Sequence, residues 1–110
     1  MALEFTTGNP RNLLTAFKNA IDQGHVVTWS YDKDGDFTHT ATQWKNQAWM
    51  RPKVVPGGLR FMIVAPNGKG VTWEVYGIYH GRLAESVIIH CHELFATVMG
   101  TAEPAGDDKI

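Results

Sequence analysis

Apolar and polar residues alternate from Leu59 to Ala65, with Leu59, Phe61, Ile63 and Ala65 on one side. They alternate again from Val71 to Tyr79, where Val71, Trp73, Val75 and Tyr79 oppose Thr72, Glu74, Tyr76, Ile78 and His80. A period of two predicts strands, and the Asn67-Gly68 dipeptide between them predicts a tight hairpin, because both central turn positions demand positive φ. From Arg82 the period lengthens. Leu83, Ala84, Val87, Ile88, Cys91, Leu94, Phe95 and Val98 fall on one helical stripe that Gly100 is placed to end. A hairpin with one apolar face and a helix with one apolar stripe are expected to bury each other and seed the core.

Upstream, Asn9, Pro10 and Gly24 are the punctuation of a first helix: a capping side chain, a residue suited to the first turn, and a residue suited to the exit. Leu13, Leu14, Phe17, Ala20 and Ile21 make its apolar stripe. Leu3 and Phe5 alternate in a segment expected as a short edge strand or an arm. Val26 to Tyr31 and Phe37 to Thr42 are rich in β-branched and aromatic residues and predict a hairpin across the Asp32 to Asp36 loop. Gln43 to Gln47 reads as a turn. Ala48 to Val55 predicts a third strand, at an edge, bulged or broken at Pro52, which has no N–H to donate. Pro56-Gly57-Gly58 turns the chain into the next strand.

The expected fold is therefore α+β: an N-terminal helix, a five-stranded antiparallel meander and a C-terminal helix, both helices packed on one sheet face. Residues 1–100 form a single domain, and 101–110, small, acidic and carrying Pro104 and Gly106, form a flexible tail. The sheet face away from the helices would show Thr28, Ser30, Thr38, Arg60, Met62, Val64, Glu74, Tyr76 and Ile78 among others.

Composition narrows the classes. Ten Lys plus Arg against eleven Asp plus Glu leave a net charge of −1, without the cationic excess that nucleic acid or anionic membrane usually requires. The single cysteine, Cys91, forbids an internal disulfide and suits a reducing compartment. Met1 to Glu4 are not a leader and no apolar run approaches the roughly 20 residues of a membrane span, so the expected location is the cytoplasm.

Candidate chemistry is sparse. The carboxylates from Asp32 to Asp36 lack the glycine and distal Glu of a calcium loop, with Phe37 and Gln43 in those places, and read as a turn. His90 and His92 diverge by about 200° on a helix while Cys91 points inward, so no metal is expected there. Cys91 itself reads as an inert core thiol. Tyr76, His80, Gly81 and Arg82 gather at the expected strand-to-helix junction, where free amides and the helix dipole favour an anion, and form the candidate ligand site. Trp49, Arg51, Lys53, Arg60 and Tyr76 combine rings and cations in a weaker candidate surface for single-stranded nucleic acid. Met62, Val64, Ile78 and Ile89 form a candidate interface, since exposed apolar patches on small domains mark docking surfaces.

No catalytic set, metal or cofactor emerges. The preferred reading is a non-enzymatic interaction protein whose open sheet face binds a protein partner or a second copy. The alternatives are a small anionic-ligand binder or minor enzyme at 76–82, and single-strand binding.

Overall fold

In the computed structural model, which describes residues 3–67, 69–106 and 108–109, helix α1 (Pro10–Asp22) forms where its punctuation places it. The Asn9 side chain accepts from the Asn12 amide at 3.1 Å, and Gly24 leaves the helix at φ +79°. A side-chain acceptor there satisfies one of the amides that a helix start leaves unpaired. Leu13 and Phe17 are its buried residues.

Six strands build one sheet: β1 (Leu3–Thr6), β2 (Trp29–Tyr31), β3 (Phe37–His39), β4 (Trp49–Val55), β5 (Gly58–Val64) and β6 (Val98–Gly100). Their spatial order is β2-β3-β4-β5-β1-β6, with every neighbouring pair antiparallel. Two helices lie on this sheet, so the α+β class holds. Leu3, Phe5, Trp29, Phe37, Met50, Leu59, Phe61 and Ile63 of the sheet share one core with Leu13 and Phe17 of α1 and Val75, Tyr79, Leu83 and Val87 of the second helix.

The sheet gains two strands over the expected five-stranded meander and loses one. The segment containing Leu3 and Phe5 is interior, paired with β5 through Leu3↔Phe61 and Phe5↔Leu59 and with β6 through Leu3↔Gly100 and Phe5↔Val98. Phe5 is fully buried, edge-on to Phe61 and Phe95 at 5.9 and 5.0 Å. The sixth strand, β6, comes from residues expected at the end of the C-terminal helix.

A larger correction concerns residues 71–79, which are not a strand. Helix α2 (Trp73–Cys91) starts at Trp73 instead of Arg82, with the Thr72 hydroxyl accepting from the Val75 amide at 3.2 Å. Its buried residues, Val75, Tyr76, Tyr79, His80, Leu83, Ser86, Val87 and Cys91, fall three or four apart along a continuous stripe. The alternation that suggested a strand breaks at Gly77, and Trp73, assigned to its apolar face, is 64% exposed. After Cys91 the chain makes a 3₁₀ turn, His92–Leu94, and returns to the sheet as β6.

The strand β5 pairs with β4, as the Pro56-Gly57-Gly58 turn predicts, in register from Trp49↔Val64 to Val55↔Gly58, and its other neighbour is β1 in place of residues 71–79. Pro56 and Gly57 close this hairpin, Gly57 at φ +76°. Proline followed by a residue of positive φ is the requirement of a type II turn. Pro52 is accommodated because β4 meets β3 only at Phe37↔Met50. Met1, Ala2 and Gly68, on which the leader and Asn67-Gly68 turn expectations rest, lie outside the described residues, as do Asp107 and Ile110 of the tail. The Lys109 amide donates to the Ile63 carbonyl at 2.9 Å, and the Asp108 carboxylate accepts from the Ile63 amide at 3.0 Å.

Candidate functional site

Because α2 begins a full two turns earlier than the pattern suggests, Tyr76, His80, Gly81 and Arg82 occupy its interior and not its start. Amides in the middle of a helix are bonded to carbonyls four residues back, so the anion argument loses its physical basis at these positions. The four residues also divide between two sides. Tyr76 and His80 are one turn apart and buried, their rings stacked at 3.9 Å, while Gly81 and Arg82 face outward.

His80 is defined by one bond and one omission. Its Nδ1–H donates to the Tyr76 carbonyl, which fixes the proton on that nitrogen because a carbonyl only accepts. Nε2 is buried and has no partner among the described residues. Burial holds the imidazole below its ordinary pKa, with the Tyr76 carbonyl pulling the other way. The Tyr76 hydroxyl donates to the Thr101 carbonyl at 2.9 Å, and burial raises its pKa.

Arg82 belongs to a different constellation. With Thr28, His39, Ala41, Gln43, Trp44 and Glu85 it lines a recess of about 170 Å³ between α2 and the segment that follows β3. His39 is buried there, its Nδ1 accepting from the Ala41 amide at 3.1 Å, so its proton sits on Nε2, the opposite tautomer from His80. Burial first, and the Arg82 charge second, lower its pKa. Glu85 stands beside Arg82 by its i,i+3 spacing on α2, but nothing in the residue spacing marks His39, which reaches Arg82 only through the placement of α2 over the β2–β3 end of the sheet.

The expected interface residues separate as well. Met62 and Val64 lie on β5, where Met62 is only 5% exposed and Val64 is half-buried. Ile78 and Ile89 lie on α2, half-buried and exposed respectively. The large exposed apolar side chains among the described residues are Val27, Trp73, Ile88, Ile89 and Met99.

The nucleic-acid set is dispersed too. Tyr76 is on α2, away from Trp49, Arg51, Lys53 and Arg60 on β4 and β5. Arg51 grips Asp36 with two bonds of 3.1 and 3.0 Å, and Arg60 holds Glu4 at 2.9 Å. In the Asp32 to Asp36 loop, the Asp32 carboxylate accepts from the amides of Asp34 and Asp36 at 2.9 and 3.0 Å, and Gly35 stands at φ +85°. These carboxylates shape the turn. Burial raises the Cys91 thiol pKa, which suppresses the nucleophilic thiolate. Among the described residues no group of three or more His, Cys, Asp or Glu is placed to hold a metal ion, and no helix is long and apolar enough to cross a membrane.

Compared with protein-family models, curated proteins and solved structures, the chain matches none.

Proposed function

We propose that this protein is a non-enzymatic interaction module that engages a protein partner through the outer face of α2. The supporting observation is the exposure of adjacent Ile88 and Ile89, 44 and 62%, on the helix that also carries half-buried Ile78, with Trp73, 64% exposed, at its far N-terminal end. Exposed apolar side chains gathered on one element mark a docking surface more reliably than single ones scattered over a fold. The sheet face away from the helices, first choice on the sequence pattern, is a poorer candidate: Met62 is buried and the flanking arginines are engaged by Asp36 and Glu4.

A photo-reactive benzoylphenylalanine at position 88 of the full chain tests this reading, with the same group at exposed Met99 as control. The expected result is a covalent product of one defined mass from position 88 alone, lost when Ile89→Lys is added. Equal labelling from both positions, or none from position 88, overturns it.

A second reading, a site for a small anionic ligand, draws support from the recess that Arg82 shares with His39, Gln43 and Trp44. Inorganic phosphate or a small carboxylate should then raise the Tm of the parent and leave Arg82→Ala unmoved. No shift in the parent removes this reading.

A further inference from the structure

The outer face of α2 carries Ile78, Arg82, Glu85 and Ile89, spaced four, three and four residues apart. That alternation keeps residues on one narrow seam of a helix, as in the a and d positions of a coiled coil. The Arg82 and Glu85 side chains are 53 and 56% exposed and Ile89 is 62% exposed, so the seam faces solvent. Its order is apolar, positive, negative, apolar. Reversed, the order becomes apolar, negative, positive, apolar, which complements the original at every place.

A helix laid antiparallel across the seam, centred between Leu83 and Ala84, sets Ile78 against Ile89 twice and Arg82 against Glu85 twice. A parallel copy would set Arg82 against Arg82 and Glu85 against Glu85. This self-complementarity under a two-fold axis is the property of an isologous interface and commits the seam to one occupant. Resting on the reading of this face as a docking surface, we infer that the protein forms a homodimer through antiparallel packing of α2 on α2 of a second copy.

The helix surface beside the seam suits close approach. Gly77 and Gly81 flank it, and a Cβ built on either meets no atom within 4 Å. With Ile78, Arg82 and Glu85 these glycines line a shallow hollow, over which Ile88 of the second copy packs. Arg82 and Glu85 now pair within one helix at 3.4 Å. An exposed pair of this kind contributes little, so exchanging it for the intermolecular pair sacrifices little. One helical seam makes a small interface, at or below the low end of the roughly 1,200 to 2,000 Å² of stable complexes, so a weak and reversible association is expected.

The register supplies the test. In a Cys91→Ser background, single cysteines at positions 78 and 89 of opposing helices meet, whereas two copies of either one stand about 16 Å apart along the axis, far beyond the roughly 4 Å between Cβ atoms of a disulfide. Oxidising a mixture of Ile78→Cys and Ile89→Cys chains should therefore give a linked dimer, and oxidising either alone should not. Sedimentation of the parent from about 5 to about 300 µM should show reversible dimerisation. Arg82→Glu and Glu85→Arg should each weaken it about tenfold, and the double exchange should restore it to within about threefold. An unchanged Tm in all three charge variants separates this from misfolding.

A parent that stays monomeric throughout, self-linking of either cysteine chain, or a double exchange without rescue overturns the dimer. The first of these, accompanied by a product from benzoylphenylalanine at position 88 with a different protein, overturns the dimer and leaves the docking surface standing. A monomer with no product from position 88 overturns both.

Discussion

His80 and His39 are both buried, both neutral by environment, and protonated on opposite ring nitrogens. Protonating His80 puts a charge on an Nε2 that has no partner among the described residues. The unfolded chain accepts that proton near the ordinary histidine pKa of about 6.5, the folded chain only at lower pH, so below about 6.5 the unfolded state binds more protons and stability falls. The Tm is therefore expected to drop between pH 7.5 and 5.5, and His80→Phe, which keeps the ring stack on Tyr76, to flatten part of that drop. A slope unchanged by this substitution and by His39→Phe would reject the assignment. Tyr79 carries a comparable burden: its hydroxyl donates to the Trp44 carbonyl and lies 3.0 Å from the Thr38 hydroxyl, tying α2 to the segment after β3. Tyr79→Phe should lower stability by about 1 to 2 kcal/mol in urea unfolding with the ring packing intact. The chain has five histidines. Nothing in its linear order tells that two of them are interior, because burial here comes from helix placement and not from neighbours in the chain.

Helix α1 could be read from Asn9, Pro10 and Gly24 because caps act through local backbone geometry, which residue identity reports directly. Helix α2 was half hidden for the opposite reason. Its buried stripe includes His80 and Ser86 while its outer face keeps Trp73, Ile88 and Ile89, so apolar and polar residues do not separate cleanly around the axis. Gly77 and Gly81 further dilute helix propensity, and the β-branched and aromatic residues from Val71 to Tyr79 imitate a strand. The candidate anion site followed that boundary and dissolved with it. The hairpin of β4 and β5 was foreseeable at Pro56-Gly57, whereas the need for Gly58 was not. A Cβ at Gly58 would stand 2.9 Å from the Phe5 carbonyl oxygen. Gly58→Ala should cost about 1 to 3 kcal/mol by forcing β1 away from β5, read as a lower midpoint in urea. An unchanged midpoint would show that the two strands have slack.

Across the whole molecule, short-range patterns give β2 to β5 but neither β6, which they read as helix, nor the place of β1, since β1 pairs with partners more than fifty residues away at β5 and more than ninety at β6. Alternation at Leu3 and Phe5 fits an edge, an arm or an interior position equally well, and only the tertiary fit selects the last. Phe5→Ala removes a side chain fully buried between Phe61 and Phe95, and a loss of about 3 to 5 kcal/mol is expected. Measured by calorimetry, a loss below about 1 kcal/mol would mean that β1 is an accessory and not part of the cooperative unit.

The interior position of β1 sets a timetable for biosynthesis. A ribosome delivers Leu3 to Thr6 before either flanking strand exists, and the last of them, β6, only after residue 100. Until then the earliest segment must wait with its amides in water and its phenylalanine unsheltered, so the sheet closes around its oldest strand only once nearly all of this sequence has been made.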